Sequence, residues 1–134
     1  MSGHEYIRVE FDQEGPEVPV GGTLRGVVRA EPGYLSGPRR VLLKVGYFIE
    51  GQGTPERRIF LDRVITGGFV PRDQVFEYDF ELDIPDEGPL SYRGQCLSIT
   101  WKAVVEEVRH RRYNRRRSFA FKVVPAPEPT DVPG

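Results

Sequence analysis

The residues of this 134-residue chain that could do chemistry are few, and most stand far apart. The densest group is EEVRHRRYNRRR, residues 106–117. There Arg109, Arg111, Arg112, Arg115, Arg116 and Arg117 flank Tyr113 and Asn114. Closely spaced guanidinium groups attract carboxylate or phosphate and can grip either one with two parallel hydrogen bonds. Asn114 suits a turn because its side chain tolerates left-handed backbone angles, so a hairpin tip is predicted here. Three readings of that tip stay open. It is a solvated turn whose arginines pair with Glu106, Glu107 or the acidic ladder of Glu77, Asp79, Glu81 and Asp83. It is a contact for an acidic or phosphorylated protein partner, made by the arginines with Tyr113. Or it holds anionic lipid or nucleic acid, the latter with strongly salt-dependent affinity. Six arginines against two glutamates give the segment +4, while the whole chain is −1, so the remainder carries −5. That balance keeps the basic patch small and argues against nucleic acid.

Other candidates are weaker. Cys96 is the sole cysteine, and His4 and His110 are the two histidines. These three match no metal-ligand spacing, so neither a metal nor a cofactor is expected. As a nucleophile Cys96 would need a neighbouring base, and His110 lies at the far end of the same predicted strand. Signatures such as Gly-x-Ser-x-Gly, a phosphate-binding glycine loop or His-Glu-x-x-His are missing, and no enzymatic activity is expected. Glu77, Asp79, Glu81 and Asp83 alternate along one predicted strand. Successive members of such a ladder rise by about 7 Å, too far to wrap one calcium ion. A solvated face with arginine partners across the strands is the plainer expectation.

What must position these residues is a set of strands. Seven runs alternate apolar and polar residues: 5–12, 23–31, 39–50, 57–66, 75–84, 96–109 and 117–124. Run 75–84 is the clearest, with Phe76, Tyr78, Phe80, Leu82 and Ile84 on one side and the four acidic residues on the other. Run 96–109 turns Leu97, Ile99, Trp101, Ala103 and Val105 inward, and its parity slips beyond Val105, which predicts a bulge or a solvated extension. Run 57–66 predicts a bulge near Asp62 and Arg63. Period-two strands with one apolar face bury it by packing two sheets together. The expected fold class is therefore an all-β, immunoglobulin-like antiparallel β-sandwich of about seven strands over residues 1–124. Residues 125–134, PAPEPTDVPG, carry four prolines and no period and are expected to be a flexible tail. No apolar run approaches the ~20 residues that cross a bilayer, and the N-terminal segment has no signal-peptide pattern. With one cysteine and no internal disulfide, a cytoplasmic location is expected.

Three stretches, in order, make the chain resemble the amino-terminal domain of the arrestin-like proteins, which include the alpha-arrestins, the arrestin-like subunit of retromer and bacterial sporulation-control proteins. The first is VEFDQEGPEVPVGGTLRGVVRAE (9–31), with its turn at Pro19–Gly22 and Gly26 central to the following strand. The second is RRVLLKVGYFIEGQG (39–53). The third is FEYDFELDIPDEGPLSYRGQCLSITWKAVVE (76–106), an aromatic strand, a Pro-x-x-x-Pro-x-Ser-Tyr-x-Gly connection and an Ile-x-Trp-x-Ala-x-Val strand. In that connection Pro85 ends pairing, Pro89 adds a bend, Ser91 is expected to bond locally to backbone, Tyr92 to tie down the loop and Gly94 to adopt a positive φ. Most members of the superfamily carry two such lobes, and this chain has room for one. The resemblance implies a non-enzymatic adaptor or scaffold that binds a protein partner at a sheet edge or at the loops of one end. Self-association through uncovered sheet edges is a further expectation.

Overall fold

The computed structural model describes residues 7–12, 15–32, 40–51, 53–66, 75–110 and 113–127, with side chains described at all but 109, 110, 113 and 114. His4, Arg111, Arg112 and residues 128–134 of the expected tail lie outside the described residues. The described elements are nine strands. In order they are β1 (Ile7–Phe11), β2 (Glu17–Pro19), β3 (Thr23–Ala30), β4 (Arg40–Gly51), β5 (Glu56–Val64), β6 (Phe76–Asp83), β7 (Tyr92–Arg93), β8 (Leu97–His110) and β9 (Tyr113–Val124). All seven expected strands are present. The two additions, β2 and β7, are three and two residues long, too short to show a period.

The strands form two sheets. The smaller has the order β1-β3-β6, the larger β2-β9-β8-β4-β5, with β7 paired to β8. Pairing is antiparallel except between β2 and β9, where Glu17–Pro19 runs parallel to Lys122–Val124. The chain leaves β2 through a turn in which the Gly22 N–H donates to the Pro19 carbonyl at 2.8 Å. Gly21 stands third in that turn with φ of 78°, a conformation that side chains with a Cβ rarely adopt.

Alternation decides what the two inner faces bury. Ile7, Val9, Leu24, Val28, Ala30, Phe80, Leu82 and Ile84 come from the smaller sheet and its ends. They pack with Val41, Leu43, Val45, Trp101, Ala103, Val105, Phe121 and Val123 of the larger one. Trp101 is fully buried, with ring centroids of Tyr47, Phe60 and Phe121 at 5.2, 5.6 and 6.0 Å. The expected bulge in β5 exists but is displaced from Asp62 and Arg63. Register runs from Val45–Leu61 to Gly46–Ile59, so Phe60 is the extra residue. A bulge re-aims a side chain, and here it lays the Phe60 ring on Trp101 with 17° between the planes.

Beyond Val105 the expected bulge is present and the solvated extension is not. β8 stays in register with β4 as far as Arg40–Val108, and its shift against β9 comes later, between Val108 and His110. Glu106 and Glu107 are 5% and 1% exposed, so this end of β8 is covered on both faces and is no solvated extension.

The acidic ladder on β6 does face solvent, and β3 answers it. Arg25 Nε lies 3.2 Å from Glu81, Thr23 donates to Asp83 at 2.8 Å, and Arg29 Nε stands 3.5 Å from Glu77, an ion pair without hydrogen-bond geometry. Arg8 and Arg29 are directly opposed in the ladder, a repulsive pairing. Glu10 relieves it by accepting from Arg8 Nε at 2.6 Å and from Arg29 Nη1 at 2.8 Å on separate oxygens. The Arg8 hydrogen bond, with the Arg29 charge beside it, holds the Glu10 carboxyl below its ordinary pKa of 4.5, against a smaller opposing effect of burial.

A carboxyl whose pKa is depressed by folding stabilises the fold above its unfolded value and loses that contribution as pH falls through the folded one. Glu10→Gln should therefore destabilise the domain at pH 7 by about 0.5 kcal/mol, a value already reduced by solvent screening. The gap to the wild type should close below about pH 4.5. Urea unfolding at several pH values checks this, and a gap that persists in acid would show that charge on Glu10 is not its origin.

Candidate functional site

Arg111 and Arg112, at the expected tip, lie outside the described residues, as do the side chains of Arg109 and Tyr113; Arg115, Arg116 and Arg117 are described. Arg109 belongs to the backbone of β8, and Tyr113 already belongs to β9, which starts four residues earlier than the sequence suggests. In the β8–β9 ladder Arg115 faces Glu107, Arg116 faces Glu106 and Arg117 faces Val105. Strand alternation then separates the described arginines: Arg116 projects on the outer face of the sheet, Arg115 and Arg117 on the other. Arg116 Nη2 reaches Glu106 Oε1 at 3.4 Å, and Lys44 Nζ stands 3.6 Å from the second oxygen. Pairing with Glu106 is thus present for Arg116. Among the described residues, Arg115 and Arg117 thus share one face and Arg116 stands on the other.

Cys96 is exposed, in the turn before β8. His110 ends that strand, 14 residues on, roughly 46 Å at the strand rise. The two cannot meet. Among the described residues no three acidic, His or Cys side chains converge as metal ligands.

The connection 85–94 proves to be a tertiary clamp. Trp101 Nε1 donates to the Pro89 carbonyl at 2.8 Å, which satisfies the one polar atom of the buried indole. Ser91 binds across 32 residues instead of locally: its N–H donates to the Val123 carbonyl, and its Oγ accepts from the Val123 N–H, both at 2.9 Å. Gly94 is also used differently. Its φ is not positive; instead the Tyr92 ring lies over it, and a Cβ there would meet ring atoms at 2.6 Å. Tyr92 itself is 56% exposed.

These bonds open a groove. β9 pairs with β8 from the hairpin to Phe121 and then leaves it, held by β2 on one side and by Ser91 on the other. β7 takes the vacated edge of β8 at Ser98 and Ile99. Between the parting strands lies a cavity of about 630 Å³. Leu90, Tyr92, Ile99, Phe121 and Val124 contribute its apolar lining, with Arg93 and Lys122 among its polar residues. Leu90 is 39% exposed. The sequence carried a signal for this site, two large apolar residues inside a loop rich in proline and glycine.

No established family profile matches the chain, and no curated protein sequence matches it. Among solved structures it is similar to the sporulation control protein Spo0M of Bacillus subtilis, with TM-score 0.58 and 11% identity over 87% of this chain and 48% of that one. The chain spans about half the length of that protein. Spo0M has an arrestin-like fold, and this chain shares it. The resemblance drawn from residues 9–31, 39–53 and 76–106 thus holds at the level of fold. Looser likenesses are to a beta-glucosidase of Listeria innocua, bound to gluconolactone or to glucose. Their TM-scores are 0.45 and 0.43 at 12% and 11% identity, over 87% of this chain and 16% of theirs. Those two bear on neither fold nor function.

Ser91→Ala leaves the Val123 N–H without its acceptor between β9 and the loop. The loss should be about 1–3 kcal/mol in urea unfolding. A cost under about 0.5 kcal/mol, usual for an uninvolved surface residue, would mean the serine does not hold the loop to β9.

Proposed function

We infer that this domain is a non-enzymatic adaptor that holds an extended segment of a protein partner, acting in the cytoplasm. The observation that carries this reading is the groove between the parting ends of β8 and β9. Its shape favours an extended chain, because strands bound it on both sides. Leu90, Tyr92 and Ile99 offer apolar contact, while Arg93 and Lys122 favour an acidic residue in the occupant. An arrestin-like fold supports an adaptor by analogy of architecture, since such folds present sheet edges and end loops for contact. The alternative, an anion binder using residues 109–117 as one cluster, is weakened by the division of Arg115, Arg116 and Arg117 between two faces.

Selecting peptides for this domain from a random displayed library tests the reading. Recovered peptides should share a short apolar run beside an acidic residue. Tyr92→Ala, or Leu90→Glu in the folded protein, should weaken them about tenfold or more, as expected when a central anchor is lost. Failure to recover any peptide, or recovery of peptides that bind both variants as well as the wild type, would refute the groove as the recognition site.

A further inference from the structure

The outer face of the larger sheet brings together cations that the sequence keeps far apart. Lys44 of β4, Arg57 of β5, Lys102 of β8 and Arg116 of β9 line one small cavity of about 120 Å³. Four neighbouring strands each supply one cation. Register explains the convergence: Lys44 faces Val104, Val104 faces Ser118, Phe48 faces Arg57 and Glu106 faces Arg116, all on one parity. Phe48, Val104, Glu106 and Ser118 complete the lining. Lys102 Nζ sits 4.4 Å from the centroid of the Phe48 ring, which holds the ammonium by its charge.

One anion is built in. The Glu106 side chain is 7% exposed and lies between Lys44 at 3.6 Å and Arg116 at 3.4 Å. Both separations exceed the 2.7–2.9 Å or so of a tight charged hydrogen bond, so one carboxylate is spread over two cations. The lining then holds four positive groups against one negative. Asp62, opposite Lys44 in the ladder, is exposed on the same face and lies outside the lining.

We propose that this cavity is a binding site for a doubly charged tetrahedral oxyanion, a phosphate or the phosphoryl end of a phosphomonoester. An excess of three positive charges is offset better by a dianion than by a single carboxylate. Arg57 and Arg116 supply forked donors suited to tetrahedral oxygens, and Ser118 adds a hydroxyl. Phe48 and Val104 form an apolar floor beneath Lys44 and Lys102, the less exposed of the four cations. The site does not depend on the groove: none of its eight lining residues lines that cavity.

Calorimetric titration of the full chain with inorganic phosphate at low ionic strength tests the proposal, with acetate as the monoanion control. Amide resonances of Lys102 and Ser118 should move with phosphate, and phosphate should bind at least about tenfold more tightly than acetate. Arg57→Gln and Lys102→Gln should each weaken phosphate about tenfold. Arg63→Gln, on β5 but of the opposite parity, should leave binding unchanged. Co-flotation with phosphatidylcholine vesicles containing phosphatidate separates the sources. Flotation lost in Arg57→Gln and Lys102→Gln marks a lipid headgroup as the ligand, and phosphate binding without flotation marks a small soluble phosphate. The proposal is overturned if phosphate binds no better than acetate, if the two variants bind as the wild type does, or if Arg63→Gln loses as much as they do.

Discussion

The indole of Trp101 sets the terms for the rest of the molecule. It is fully buried at the centre of the larger sheet's inner face, and a ring of that size must fill space with an unpaired N–H satisfied. Tyr47, Phe60 and Phe121 fill the space. The Pro89 carbonyl satisfies the N–H. That hydrogen bond places the loop between β6 and β8 over one end of the core. Once Pro89 is fixed, Ser91 lies beside Val123 and takes both of its backbone groups. β9 is thereby drawn away from β8, β7 occupies the vacated edge, and the groove follows. A core requirement for one polar atom thus shapes a surface.

Charge is divided between the outer faces. On the smaller sheet Arg8, Arg25 and Arg29 stand against Glu10, Glu31, Glu77, Asp79, Glu81 and Asp83, an acidic surface knit by cross-strand pairs. On the larger sheet Lys44, Arg57, Lys102 and Arg116 outnumber Glu106 in their cavity. A net charge of −1 conceals this because the two faces nearly cancel. Each exposed pair is worth little in solvent, so the pattern governs which ligands approach more than whether the chain folds.

Much of this was legible in advance where a side chain's role depends only on its neighbours along one strand. Alternation in residues 76–84 specified which of them are buried and which answer to β3. The same logic failed wherever a strand was too short for a period, as in β2 and β7, or where a bulge moved by two residues, as at Phe60. It failed again at Glu106 and Glu107. Polar residues at a strand end suggest solvent, and one of the two strands that flank them, β4, comes from a distant part of the chain.

Composition and period alone determined an all-β sandwich, the inward set of β3, β4 and β6 and the importance of the loop 85–94, because these follow from local sterics and from the need to bury one face; Leu97, expected inward, is 42% exposed. Only the tertiary structure decided what that loop binds, where β8 and β9 separate and which cations meet. Those outcomes depend on inter-strand register, which joins residues as distant as Lys44 and Arg116 and is a property of the whole sheet. The arginine segment shows the difference most clearly. Its charge is visible in the sequence, but the pairing of β8 with β9 sends Arg116 to one face and Arg115 and Arg117 to the other.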